Sequence, residues 1–113
     1  MVEKLLWIRP NNLEMVLSGR KTVEVRVAYP NILRLAVGDV LLLNREHRYR
    51  ITRIDRYPDF PALLAAEDPA AIAPDLPAGE LLSALRELYP REKEALGAVA
   101  LAIEPAGEGD PAA

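Results

Sequence analysis

Gly19-Arg20-Lys21-Thr22-Val23-Glu24-Val25-Arg26-Val27 is the stretch on which the fold turns. Gly19 suits the left-handed residue that closes a helix. From Thr22 onward polar and apolar residues alternate, so Val23, Val25 and Val27 point to one side of a strand and Thr22, Glu24 and Arg26 to the other. Successive members of the polar set sit roughly 6.5–7 Å apart at ~3.3 Å per residue. Lys21 lies at the helix-to-strand corner, where the turn decides its direction. If the valines build a core, the Glu24/Arg26 face looks toward a groove or toward solvent. In a groove, a carboxylate among several cations stays ionised and orients them, and the cations form an anion or phosphate site. On a solvated face the same residues make cross-strand ion pairs worth little.

Upstream, residues 2–8 (VEKLLWI) read as a short opening strand that Arg9-Pro10 ends. Asn11 or Asn12 is expected to cap a helix ending at Ser18, with Leu13, Val16 and Leu17 on one face. Downstream, Tyr29-Pro30-Asn31 breaks the chain, residues 32–37 form an irregular apolar connection, and Val37-Gly38-Asp39 turns into a strand over Val40–Leu43 buried on both faces. A polar connection over 44–47 leads to a strand over 48–57, whose alternation slips near Arg53-Ile54 as at a bulge. Asp59 caps a helix reaching Glu67, with Pro61 in the tolerated first turn. Residues 68–79, rich in proline and alanine, are expected as an ordered loop. Leu81, Leu85 and Leu88 mark a helix over 80–88 that Tyr89-Pro90 stops, and they are assigned to packing with Phe60 and Tyr89. A last strand covers 97–103. Connections this short exclude parallel crossovers between neighbouring strands. The order β-α-β-β-β-α-α-β therefore predicts an α+β protein, a small mixed or antiparallel β-barrel with flanking short helices. One domain over residues 1–104 and a flexible tail over 105–113 are expected.

A chain of 113 residues and 12.5 kDa has room for one core. It contains no cysteine, which excludes disulfides, thiolate metal sites and a thiol nucleophile. Its one histidine, His47, reads as a solvated loop residue and cannot build an imidazole cage. No glycine-rich phosphate loop or Ser-His-Asp set is present, and neither metal nor cofactor is expected. The longest apolar runs fall far short of the ~20 residues of a membrane span. Glu3, Lys4 and Arg9 are unlike a secretory signal, so a cytoplasmic protein without membrane association is expected. Residues 1–57 carry 11 Lys+Arg against 6 Asp+Glu, whereas residues 58–113 carry 3 against 11. Such asymmetry fits a face that attracts anions, or solubilising charge spread unevenly.

A second basic stretch places Arg48, Arg50 and Arg53 or Arg56 near one face, interleaved with Tyr49 and Tyr57. That mix serves single-stranded nucleic acid, or it is an exposed edge defended by charge. Trp7 and Tyr29 are the other aromatics near the expected cleft, and Trp7 is open to two roles, a core residue or a ring that stacks a base.

Gly19-x-Lys21-x-x-Glu24-x-Arg26 resembles the GxKxxExR signature of the ASCH domain, within the PUA-like superfamily. Trp7-Ile8-Arg9-Pro10, the helix Leu13–Ser18, the turn Gly38-Asp39-Val40 and Leu88-Tyr89-Pro90 are similar to segments of its small bacterial single-domain members, in order, across residues 4–103. The resemblance implies a small barrel with a cleft lined by the signature, and RNA or a nucleotide-like ligand as partner. Lys21 and Arg26 would then contact phosphate, Glu24 would read a base edge or orient the cations, and Arg9, Arg20 and Trp7 would support. Some small bacterial relatives are amidohydrolases of N(4)-acetylcytidine, and the resemblance implies Lys21 as their nucleophile or activator. Those enzymes carry a threonine where this chain has Glu24, and add a glutamate for which Glu67, Asp75 and Glu80 are candidates. Arg20 and Arg26 favour a neutral Lys21 amine, and Glu24 favours the ammonium. An ammonium is better suited to binding phosphate or polarising a carbonyl than to attacking one. A third reading is a protein-interaction module using the acidic second half.

Overall fold

The alternating valines pair with a strand that alternates too. In the computed structural model, which describes residues 3–107, β2 (Val23–Val27) runs antiparallel to the last strand, β5 (Ala98–Pro105). With β1 (Glu3–Leu6), β3 (Val40–Leu43) and β4 (His47–Tyr57) they form one curled, half-barrel sheet in the order β1-β3-β4-β5-β2. All neighbours are antiparallel except β1 and β3, which are parallel. The intervening chain supplies the long crossover that a parallel pair needs. Among the described residues β1 and β2 are therefore the two free edges.

Side-chain size along β5 separates two cores. Val99, Leu101 and Ile103 join Leu41, Leu43 and Ile51, closed by Val16 of α1 (Pro10–Leu17) and Ile32 of α2 (Pro30–Leu33). Ala98 and Ala100 instead join Val23, Val25 and Val27, against Phe60 and Leu63 of α3 (Phe60–Ala66), Ile72 of α4 (Pro69–Ile72), and Leu81 and Leu85 of α5 (Leu81–Leu88). Glu24 lies opposite Leu101 and Arg26 opposite Val99, so both face away from the helical layer that the valines meet. A final short helix, α6 (Arg91–Glu94), is tied in by buried Glu94, whose carboxylate accepts from Arg86 Nε at 2.9 Å and from Phe60 N at 3.1 Å.

Several boundaries differ from the sequence reading, mostly because of proline. Pro10, Pro30, Pro61 and Pro69 each occupy the first turn of a helix, where the missing N–H would have had no partner in any case. Taken as breakers, Pro30 and Pro69 hide helices, whereas Pro61 stands in the tolerated first turn expected of it. α1 begins at Pro10, with Arg9 as N-cap rather than Asn11 or Asn12. α2 spans the expected break at Pro30-Asn31 and the start of the expected irregular connection, and the expected loop over 68–79 holds α4 and the start of a 3-10 turn over Ala78–Glu80. α4 is capped by Asp68, which accepts from Ala70 N at 3.0 Å. α6 follows Pro90 and was not anticipated. The bulge in β4 falls between Ile51 and Arg53, slightly before the expected position. β5 runs on to Pro105, and buried Ala106 donates its N–H to Arg48 O at 2.9 Å. Residues 105 and 106 thus belong to the fold, and residues 108–113 of the expected tail lie outside the described residues.

Asp59 caps α3 as expected, accepting from Ala62 N at 2.9 Å. Asp59→Ala should lower stability by about 1 kcal/mol, read as a lower urea midpoint at unchanged slope. An unchanged midpoint would contradict the capping role.

Candidate functional site

A cavity of about 510 Å³ lies along the free edge of β2. One wall comes from the β1–α1 segment, including Trp7, Arg9 and Asn12, with Met15 of α1; the other comes from α4, α5 and Tyr89. Lys21, Glu24, Val25 and Arg26 form its floor.

Lys21 follows Gly19, whose φ of +81° closes α1 in the left-handed region, and the turn buries the lysine to 4% exposure. Its Nζ donates to Val23 O at 2.9 Å and to Ile72 O at 2.7 Å, and stands 3.3 Å from Glu24 Oε1. An ammonium has three donors, and three acceptors surround this one. Glu24 Oε2 accepts from Arg26 Nε at 3.0 Å and Nη2 at 2.6 Å. That Nη2 also donates to Trp7 O at 3.0 Å. Arg26 thereby links one edge strand of the half-barrel to the residue just beyond the other. Burial by itself would raise the pKa of Glu24, but the charges of Lys21 and Arg26 and their hydrogen bonds outweigh it and hold the carboxyl below its usual range.

Trp7 is 59% exposed, which removes the core alternative for it. The Arg45 guanidinium stands 5.9 Å from the centre of its ring. Asn44 and Arg45 turn with φ of 51° and 66°. The Asn44 side chain then accepts from Ile8 N at 2.8 Å and donates to Ile8 O at 2.9 Å, clamping the Trp7–Arg9 segment. Arg9 is exposed on the cavity wall. Neither Arg9 nor Arg45 has a carboxylate at ion-pair distance among the described residues.

Other candidate residues fall elsewhere. Arg20 is at the rim, paired with Asp75 at 2.6 Å and Glu14 at 3.0 Å. Arg48 pairs with Glu3 at 3.0 Å and Arg50 with Glu104 at 3.9 Å. Arg53 donates to both oxygens of Glu67 at 2.9 and 3.0 Å and also meets Asp55. Tyr49 is in the core, and Tyr57 donates to Glu67 at 2.5 Å, which pushes the phenol up to about 12. Arg48, Arg50 and Arg53 are thus matched by carboxylates, Glu67 and Glu104 coming from the acidic half, and this second basic stretch lies off the cavity. Of the three acids considered for an amidohydrolase, Asp75 alone lines the cavity, and Glu67 is held by Arg53 and Tyr57. Tyr29 packs against both cores.

Sequence reading missed part of the wall. Leu81 and Leu85 serve the core and the cavity together, and Leu88 is 46% exposed there. The signal was available: a leucine stripe broader than the face α5 buries. Among the described residues no group of three or more histidine and acidic side chains could hold a metal. No helix among the described residues is long and apolar enough to cross a membrane.

Comparison with known proteins places this geometry. The ASCH domain family matches residues 6–107. The crystal structure of hypothetical protein PH0355 superimposes with a TM-score of 0.85 at 23% identity, covering 93% of this chain and 99% of that one. The solution structure of protein PF0455 from Pyrococcus furiosus gives 0.78 at 25% identity, covering 96% and 100%. Both share the fold. No curated protein sequence matches the chain.

The depressed Glu24 pKa carries a pH signature. A carboxyl below its ordinary 4.5 stabilises the fold above that pH, and the contribution is lost as pH falls through the folded value. Glu24→Gln should cost about 3–5 kcal/mol at neutral pH, because Lys21 stays buried without its anion. It should also lose stability less steeply below pH 4.5 than the parent protein. Glu67 and Glu94, also depressed, are present in both proteins, so urea titrations across this range isolate Glu24. Parallel acid profiles would contradict the assignment.

Proposed function

The chain belongs to the ASCH domain family, and from that premise we propose that it binds RNA, taking one nucleotide into the cavity along β2. The observation that carries the reading is the meeting of an exposed Trp7 with Lys21, Glu24 and Arg26 on a single cavity. Its volume lies within the usual range for small-molecule sites. Trp7 stacks the base, as aromatic side chains do on unpaired nucleotides. Arg26 offers Nη1, which has no partner among the described residues. Arg9 and Arg45 supply guanidiniums free of carboxylates to the flanking phosphates. Lys21 and Glu24 hold the floor and orient Arg26. Arg20, Arg48, Arg50 and Arg53, each matched by an acid, add little to phosphate affinity.

Binding is favoured over amide hydrolysis by the surroundings of Lys21. A nucleophilic amine needs a free electron pair, whereas this nitrogen directs its hydrogens at two carbonyls and a carboxylate. Incubation with N(4)-acetylcytidine should leave its ultraviolet absorbance unchanged. Release of cytidine that disappears in Lys21→Ala would overturn binding without hydrolysis.

Fluorescence anisotropy with a single-stranded RNA oligonucleotide tests the main reading. Affinity should fall with salt, and Arg9→Ala should reduce the log–log slope by about 0.7. Trp7→Ala should weaken binding roughly tenfold or more with little change in the urea midpoint, since the ring is exposed. Salt-independent binding, or no loss in Trp7→Ala, would contradict the proposal.

A further inference from the structure

Among the described residues β2 has one neighbouring strand, so half of its main-chain groups point away from the sheet. Ile103 N donates to Thr22 O at 3.0 Å and Ala28 N to Gly97 O at 2.9 Å. The hydrogen-bonded pairs between these ends are therefore Glu24 with Leu101 and Arg26 with Val99. Val23, Val25 and Val27 turn their N–H and C=O groups to the open edge. Two of these three carbonyls are taken: Val23 O by Lys21 Nζ at 2.9 Å, and Val27 O by Tyr29 N at 2.8 Å. Val25 differs. Neither its N–H nor its C=O meets a partner among the described residues, although the residue is only 6% exposed and lines the cavity. Buried main-chain groups left unpaired cost free energy, and nearly all in folded proteins are satisfied. At Val25 the edge thus presents an unengaged donor and acceptor side by side and pointing the same way, whereas the outward N–H groups of Val23 and Val27 stand beside carbonyls already taken.

We infer that the cavity takes an unpaired nucleobase and reads its base-pairing edge with the main-chain N–H and C=O of Val25. This rests on the nucleotide-binding function proposed above. Each of the four RNA bases carries a donor beside an acceptor on that edge: N3–H with O4 in uracil, N4–H with N3 in cytosine, N6–H with N1 in adenine, N1–H with O6 in guanine. Two bonds to one residue reproduce what a bonded pair in an antiparallel ladder exchanges. An extended peptide is the other natural occupant of an open edge, but it needs a succession of such pairs. Here Lys21 and Tyr29 have taken the carbonyls on either side, leaving a complete donor–acceptor pair at one residue alone. One such pair suits a single flat ring. A base inside a duplex has already committed the same atoms, so the ligand is single-stranded or turned out of its helix.

Calorimetric titration of the intact protein with the four nucleoside 5′-monophosphates, and with their counterparts methylated at pyrimidine N3 or purine N1, tests the assignment without any variant. The tightest-binding parent nucleotide should lose at least about tenfold on methylation. Equal affinity for that parent and its methylated form would overturn the role of Val25 while leaving the cavity a nucleotide site. Failure of every probe to bind would overturn both. Val25→Pro removes the N–H at an edge position where proline is tolerated. If circular dichroism shows it folded, it should weaken the parent nucleotide and leave the methylated form unchanged, and retention of full parent affinity would again overturn the assignment.

Discussion

A buried carboxylate held between two cations governs the open side of this half-barrel. Glu24 is 9% exposed, and both of its oxygens are engaged by Lys21 and Arg26. Removing ions from water is costly, and such networks seldom stabilise a protein beyond what well-packed apolar side chains would. Their effect here is positional. Lys21 fixes the end of α4 to β2 through Ile72 O, and Arg26 fixes the exit of β1 through Trp7 O. A sheet that would otherwise end in two exposed edges is bridged across its gap by polar contacts, and the space they frame is the cavity.

The two cores make that gap possible. On β5, alanines face the helices and larger side chains face the interior, so α3 approaches β5 and α4 approaches β2 closely while β2 remains an edge. β2 turns its valines toward those helices and its charged residues toward the opening. The alternation that identifies the strand is thus also what delivers Glu24 and Arg26 to the site.

Much of this was legible in the chain. Alternation over 22–27, the unbroken apolar run Val40–Leu43 and the Asp59 cap are local signals with local causes, and the strands they imply exist. The helices that open on Pro30 and Pro69 hide in segments that look like loops, because at a first-turn position the same residue that breaks a helix costs nothing, whereas the Asp59 cap before Pro61 makes α3 legible. Side-chain partners were less accessible. Arg48, Arg50 and Arg53 look alike in sequence to Arg9 and Arg45, yet the first three meet carboxylates brought from the strand edge and the acidic half. Only long-range pairing distinguishes a matched guanidinium from a free one. Lys21 shows the same limit: its place in the signature marks it as important, but not that backbone carbonyls from two segments would surround it.

The most direct test of this account follows the Glu24 side-chain carboxyl carbon by nuclear magnetic resonance as the folded protein is titrated with acid. A midpoint below the ordinary 4.5 is the result expected when Lys21 and Arg26 outweigh burial. A midpoint at or above that value would mean that the carboxylate is not clamped between the two cations, and the frame around the cavity would lose its cause.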